Sequence, residues 1–249
     1  MDLKIICEAT AIMSGVLYFV SGAGPWLLLA LLIITLITRF SGRTKNIGKL
    51  IEILFIFYLI TFGIYNLGID YPYSLIFVLT VLVVLIFYEG PEWSALYFAP
   101  GKTGSYFRWS VGFILANLVM FGAAIYIRYP NLKNPVPANW PLDVVLLTGI
   151  GFAFYRAVVE ETIFRSFIYQ RANSAIGGLG AIATQGILYG CMLYRFGVPS
   201  GVEGFILGSF FGMGSGYLVY KSESILLSLF LQFVVTLGVF IELIVLGRL

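Results

Sequence analysis

Four ionisable side chains lie within ten residues of an otherwise apolar segment, and they are the part of this sequence best suited to chemistry. The segment runs from Arg156 through Glu160 and Glu161 to Arg165. Charged groups are costly inside a bilayer, and those found there usually mark a functional site. On a helix each glutamate has an arginine four residues away, so two ion pairs can form and the cluster can be electrically neutral.

Two interpretations of the glutamates follow from this spacing. Two ion pairs within one helix would stabilise a bundle without doing chemistry, whereas a glutamate facing a cavity would be a catalytic carboxylate. Adjacent residues point about 100° apart around a helix, so only one of the two is expected to face a given substrate atom. A cation paired with Glu160 would also weaken that carboxylate as a base. The residues alone leave both interpretations open.

The composition around this cluster is that of a membrane protein. Hydrophobic residues make up 60% of the 249 and charged residues 11%, whereas a soluble domain has roughly 45–50% and 25%. The mean hydropathy is +0.97. Apolar segments of about 20 residues recur along the whole chain. These features exclude a water-soluble fold and predict an all-α, polytopic transmembrane helix bundle of about 8–9 spans.

Hydropathy and helix-breaking residues define the candidate spans. The nine segments are Ile5–Val20, Pro25–Thr38, Ile47–Gly68, Tyr73–Tyr88, Trp109–Ile127, Leu142 to about Gln170, Ala175–Tyr194, Gly204–Tyr220 and Ser224–Leu246. We expect the first to be retained rather than cleaved as a signal peptide, and the second is short enough to be re-entrant. Residues 1–141 are predicted to form the amino-terminal spans and residues 142–249 the part that carries the charged cluster.

The basic residues predict the orientation in the membrane. With nine spans, ten of the 15 lysines and arginines fall on one side and four on the other, and Arg156 lies between them. The richer side holds Lys4, Arg39, Arg43, Lys45, Lys49, Lys102, Arg108, Arg165, Arg171 and Lys221, and the poorer side Arg128, Lys133, Arg195 and Arg248. The positive-inside rule therefore predicts a multi-pass protein with a cytoplasmic amino terminus and the carboxyl terminus on the opposite side.

Four glycines recur every fourth residue in the eighth candidate span. Gly204, Gly208, Gly212 and Gly216 share one helix face, and such a stripe allows another helix to approach closely. We expect that helix to belong to this chain, with a second subunit as the alternative.

The string Glu160-Glu161-Thr-Ile-Phe-Arg165-Ser resembles the Glu-Glu-x-x-x-Arg signature of the CPBP (Abi) family, the CAAX-protease and bacteriocin-processing intramembrane peptidases. That family continues with an aromatic-x-x-x-His helix, a glycine-rich helix and a His-x-x-x-Asn helix. The resemblance covers roughly residues 142–246 and implies that residues 142–249 form a CPBP-like transmembrane core.

Both histidine motifs of the family are changed here, and the chain contains no histidine. In the aromatic-x-x-x-His motif, Tyr189 stands at the aromatic position and Leu193 stands at the histidine position. An alignment shifted by one residue places Leu188 and Met192 there instead, with the same loss of the histidine. The resemblance therefore implies an apolar side chain where a water-activating base would stand.

In the His-x-x-x-Asn motif, Gln232 replaces the histidine and Thr236 replaces the asparagine. In the family the first glutamate and first histidine are thought to activate water, while the second histidine and the asparagine stabilise the oxyanion. General acid–base help contributes about 10² to 10⁴ in rate and an oxyanion donor about 10² to 10³. The resemblance thus implies little peptidase activity, and the vestigial site residues, if the protein is active, are Glu160, Glu161, Arg165, Gln232 and Thr236.

The leading hypothesis is a catalytically degenerate CPBP-type membrane protein, a pseudoenzyme that acts as a scaffold, assembly factor or accessory subunit. Its expected partners are membrane lipids and another integral membrane protein. The alternative is an active CAAX-type endopeptidase that uses Glu160 and Glu161. No cofactor or metal is expected, because only hard oxygen ligands are available. Nucleic acid is not an expected partner, because the basic residues form no patch, and a transporter is disfavoured by the lack of a clear internal repeat.

Overall fold

The protein is an all-α membrane helix bundle, as predicted. Its structure is a computed structural model that describes residues 3–39, 45–69, 73–89, 97–128 and 141–246. The helices are α1 (Leu3–Gly15), α2 (Gly24–Arg39), α3 (Lys45–Asn66), α4 (Ser74–Glu89), α5 (Thr103–Arg128), α6 (Leu142–Glu161), α7 (Tyr169–Ile176), α8 (Gly178–Phe196), α9 (Gly201–Ser222) and α10 (Leu226–Leu246). A π-helical segment, Val16–Val20, extends α1, and another, Thr162–Ile168, joins α6 to α7.

Each predicted span falls on a helix, but some boundaries differ, among them the start of α5, at Thr103 rather than Trp109, and the junction before α8. The path from Leu142 stays helical to Ile176, beyond the predicted end near Gln170, and the next helix begins at Gly178 rather than at Ala175. Between them Gly177 has a φ of +91°. Glycine reaches this left-handed region without the steric cost that a Cβ brings, so the chain turns there.

In the part of the chain that the structure describes, four helical stretches are long and apolar enough to cross a membrane by length and composition. They are Asn46–Gly63, Thr103–Ile127, Gly201–Ser222 and Leu226–Val245, and two shorter apolar helices cover Gly24–Thr38 and Ser74–Val84. The nine-span count, the orientation of the termini and the division at residue 141 stay predictions. The predicted cytoplasmic loop includes residues 40–44, which lie outside the described residues.

Helix α8 occupies the centre of the bundle and packs against α1, α7 and α9, while α10 packs against α5, α6 and α9. The predicted glycine stripe of α9 faces α8. A Cβ on Gly212 would lie 2.8 Å from the Cα of Gly186, and a Cβ on Gly208 would lie 3.0 Å from the Cα of Gly190. The stripe therefore serves close packing within the chain, as expected, and it draws α9 against the helix that carries Tyr189.

The segment before α5 is bound to the turn between α9 and α10. The amide of Lys102 donates to the carbonyl of Ser222 at 2.6 Å, and the amide of Ile225 donates to the carbonyl of Tyr97 at 2.8 Å. Gly101 has a φ of +53°, and a Cβ there would overlap the carbonyl of Ser222. This contact fixes where α10 starts, and it lies at the opposite end of α9 from the junction with α8.

Candidate functional site: a buried charged cluster beside a small cavity

The first predicted ion pair forms within α6. Arg156 Nε lies 2.6 Å from Glu160 Oε1, a short charge-assisted hydrogen bond. The Glu160 side chain is completely buried, whereas Arg156 keeps 17% of its side-chain surface exposed. This regular stretch of α-helix stacks residues four apart on one face, which is why the spacing predicted the contact.

The second pair, Glu161 with Arg165, is looser. Arg165 Nη1 lies 3.4 Å from Glu161 Oε1, and both side chains are completely buried. Among the residues that the structure describes, none donates a hydrogen bond to either carboxylate oxygen of Glu161. The nearby Ser228 hydroxyl donates to the carbonyl of Ile225 at 3.0 Å. The π-helical segment begins directly after Glu161, and its wider turn takes residues four apart out of register.

Arg165 is held mainly by groups other than Glu161. Its Nε donates to Ser215 Oγ at 2.8 Å, and its Cζ lies 4.5 Å from the centroid of the Tyr189 ring. The rings of Phe211 and Phe164 follow at 5.6 and 5.8 Å. A guanidinium on aromatic faces gains cation–π attraction, and this attraction is stronger where water is excluded. The aromatic cage therefore offsets part of the desolvation cost of this buried cation.

Tyr189 of α8 joins the two ion pairs. Its ring packs against Arg165, while its hydroxyl donates to Glu160 Oε2 at 2.7 Å. The sequence placed Tyr189 at an aromatic motif position but gave it no part in the site. Ser215 was also missed, because its contact with Arg165 joins residues 50 positions apart and nothing in the local pattern indicates it.

Helix α10 supplies the remaining predicted site residues. Gln232 Nε2 donates to Glu160 Oε2 at 2.8 Å, and Thr236 Oγ1 lies 3.4 Å from the same nitrogen. Both side chains are buried. The structure thus brings Glu160, Gln232 and Thr236 together, whereas Glu161 and Arg165 form a separate contact linked to them through the Tyr189 ring.

A small cavity lies beside this network. Its polar wall consists of Arg156, Tyr189, Gln232 and Thr236, and Leu193 and other apolar side chains form the rest. The space that the centre of a water molecule can reach is about 30 Å³, room for about two water molecules. Within the described ranges, no three histidine, cysteine or acidic side chains come close enough to hold a metal ion.

The cavity distinguishes the two alignments of the aromatic motif. Tyr189 and Leu193 both line it, so the unshifted alignment puts both motif positions at the site. Leu188, from the shifted alignment, faces α1 instead, where a Cβ on Gly15 would lie 2.5 Å from its Cδ2. Leu193 therefore stands at the site with a side chain that has no group able to accept a proton.

Comparison with known proteins agrees with this geometry. Residues 141–238 match the family described as type II CAAX prenyl endopeptidase Rce1-like, and the matched region contains every residue of the network from Arg156 to Thr236. Neither the curated proteins nor the solved structures include a match to the chain. The match over residues 141–238 supports a CAAX-protease (CPBP) family assignment for that part of this membrane protein.

Proposed function

We propose that this CAAX-protease-like membrane protein is catalytically degenerate and acts as a scaffold, assembly factor or accessory subunit that binds another integral membrane protein or lipid. The observation that carries the proposal is that both carboxylate oxygens of Glu160 are already hydrogen-bonded. Its Oε1 accepts a hydrogen bond from Arg156, and its Oε2 accepts hydrogen bonds from Tyr189 and Gln232. A general base has to accept a proton from the attacking water, and here both oxygens already accept hydrogen bonds from protein donors.

The residues around Glu160 make water activation harder still. Leu193 lines the cavity where the resemblance expects a histidine, and a leucine has no nitrogen to share a proton. Arg156 forms a short charge-assisted hydrogen bond with Oε1 of Glu160, so this oxygen already has a cationic donor. Loss of acid–base help costs about 10² to 10⁴ in rate.

Oxyanion stabilisation is weakened as well. The Gln232 amide donates to Glu160 and lies near Thr236 Oγ1, so it is already engaged in the network. An oxyanion donor works only when it is aimed at the developing charge, and each lost donor costs about 10² to 10³ in rate.

The size of the cavity bears on where a partner binds. A space for about two water molecules does not admit a peptide, so the proposal places the partner on the outer faces of the bundle. Helix α5 presents large apolar side chains outward, among them Leu115, Val119 and Ile127, which are 60%, 71% and 77% exposed. Such a face suits lipid or another membrane helix.

An active CAAX-type endopeptidase is the second candidate, favoured by the family match and by the hydrogen bond that joins Glu160 to Gln232, which lines the cavity together with Thr236. The decisive experiment compares the wild type with the triple variant Leu193→His, Gln232→His and Thr236→Asn, which restores the family pattern. Purified proteins in detergent are assayed for cleavage of a prenylated peptide. Each is paired with its Glu160→Gln counterpart as the control.

We expect no cleavage by the wild type. Cleavage that appears in the restored variant and disappears with Glu160→Gln would support both the alignment and the loss of chemistry. Cleavage by the wild type that Glu160→Gln abolishes would refute the proposal and establish the enzyme. A parallel purification under mild conditions tests the binding role, for which we expect a stoichiometric membrane partner.

A further inference from the structure

The last helix carries an acidic side chain that lies outside the charged cluster. Glu242 belongs to the apolar stretch Leu226–Val245, one of those long enough to cross a membrane. It stands four residues before the end of α10, about 6 Å along the helix axis. An ionisable group at such a place is costly and usually has a partner. The function proposed above assigns no particular role to this residue.

The carboxylate of Glu242 lies over a glycine of α5. A Cβ on Gly122 would be 2.7 Å from Glu242 Oε1 and 3.1 Å from Oε2. The carboxylate thus occupies space beside α5 that a larger residue at position 122 would fill. Gly122 belongs to the apolar stretch Thr103–Ile127, so the carboxylate meets α5 within the part that is suited to span a membrane.

The described part of the chain provides no partner for this carboxylate. Oε2 of Glu242 is buried and has no hydrogen-bond partner among the described residues, and none of the ion pairs that they form includes Glu242. The side chain as a whole keeps part of its surface exposed. A group from outside the described bundle therefore has access to it.

The surface around Glu242 is apolar and faces outward. Its neighbours Ile241 and Val245 on α10 are exposed, and so is Val119 on α5, about one helical turn from Gly122. A helix that packed on these side chains would cover Glu242 as well. Polar side chains in such faces join membrane helices through interhelical hydrogen bonds.

Hydrocarbon alone does not satisfy this carboxyl group. Lipid chains provide neither a proton donor nor a cation, and a polar group without a partner is costly among them. A spanning helix can place an arginine or lysine at the depth of Glu242, because its backbone fixes that side chain there. A basic membrane helix therefore fits this face better than lipid does.

We propose that the face of α5 and α10 around Glu242 binds a transmembrane helix of another protein, whose arginine or lysine pairs with the Glu242 carboxylate. This inference rests on the proposed function, since it states the chemistry of the membrane partner. The partner's cation supplies a counter-charge, and such a pair is stronger where water is excluded. The exposed apolar side chains on both helices receive the apolar part of the partner.

The test measures association of the purified full chain with synthetic transmembrane peptides in phosphatidylcholine vesicles, by energy transfer between a dye on the chain and a dye on the peptide. The probe is a leucine–alanine helix of about 20 residues. It carries an arginine four residues from each end, so that either orientation places one arginine near the depth of Glu242. The comparison peptide has leucine at both positions.

Two variants separate the charge of Glu242 from general effects. Glu242→Gln keeps the size of the side chain and removes its charge. Glu203→Gln is the matched control, because Glu203 lies in the first turn of α9. Helices α9 and α10 are joined by a short turn and are therefore expected to run in opposite directions, which puts Glu203 at the same end of the bundle as Glu242.

We expect the wild type to bind the arginine peptide roughly three- to thirtyfold more tightly than the leucine peptide, the range for a polar contact between membrane helices. Glu242→Gln should lose this preference and Glu203→Gln should keep it. If Glu242→Gln does not fold, a peptide with one arginine at its centre serves instead, and the wild type should bind it like the leucine peptide.

Equal binding of the arginine and leucine peptides by the wild type would overturn the proposal and leave lipid as the cover of this face. An arginine preference that Glu242→Gln retains would also overturn it, because another acidic group would then be responsible. The assay measures association alone. Peptidase activity of the wild type, which would refute the proposed function, is measured separately and would leave this result unchanged.

Discussion

Removal of the Arg165 guanidinium is expected to destabilise the bundle sharply. Arg165 and Glu161 are both completely buried, so Arg165→Ala leaves a carboxylate in the core without its counter-charge. Breaking a buried pair in this way costs about 3–5 kcal/mol in free energy of unfolding. The variant also loses the contact with Ser215 and the stacking on Tyr189, and a desolvated cation–π contact is worth about 2 kcal/mol.

The double variant Glu161→Gln with Arg165→Met separates charge from packing. Methionine retains much of the apolar stem of the arginine, and no unpaired charge remains. Replacing a buried ion pair by neutral groups of similar volume is often close to neutral in stability, so we expect the double variant to recover most of the loss. Arg156→Met is the matched control, because Glu160 keeps its hydrogen bonds from Tyr189 and Gln232 in this variant. We expect Arg156→Met to lose less free energy of unfolding than Arg165→Ala.

Unfolding in mixed micelles, followed by tryptophan fluorescence, gives the free energies of unfolding. The wild type, Glu161→Gln, Arg165→Met and the double variant form a double-mutant cycle. Wild-type stability of Arg165→Ala would refute the role of the pair. A double variant as unstable as Arg165→Ala would show that packing of Arg165, rather than its charge, holds the helix.

Two further predictions concern packing and topology. Gly190→Ala should lower the melting temperature, because the added Cβ would overlap Ser209 Oγ and lie 2.5 Å from the carbonyl of Phe205; Gly112→Ala, where nothing lies within 4 Å, is the control and should melt like the wild type. Cysteines introduced at positions 41 and 131, both outside the described residues, should label from opposite sides of the membrane, and labelling from the same side would contradict the predicted orientation.

Hydropathy predicted the helices well, because a bilayer demands long apolar segments whose backbone groups are hydrogen-bonded internally. The sequence did not predict the π-helical segment Thr162–Ile168. The wider π-helical turn depends on how the whole segment packs, and every residue of this segment is buried. No local sequence pattern indicates it. Spacing alone therefore predicted two equivalent ion pairs. In the structure the nitrogen–oxygen distance is 2.6 Å in the Arg156–Glu160 pair and 3.4 Å in the Arg165–Glu161 pair.

The polar network was predictable only in part for the same reason. Glu160 and Gln232 came from the family motifs, but the bond between them joins positions 72 apart, and no local pattern predicts such a contact. Tyr189 contributes through two different faces, its ring toward Arg165 and its hydroxyl toward Glu160. An alignment gives the type of residue at a position, and only the fold gives the direction in which it points.

Under the proposed function, Gln232 at one histidine position engages Glu160 as well as lacking an imidazole. A carboxylate has a limited number of lone pairs, and each one that accepts a hydrogen bond from a protein donor is unavailable to a water molecule. Gln232 and Tyr189 both donate to Oε2, so they stabilise a buried charge that would otherwise be costly. Stability and base catalysis compete for the same oxygen atom. Under the proposed function, this competition explains how a glutamate of a catalytic signature can hold a bundle together without acting as a base.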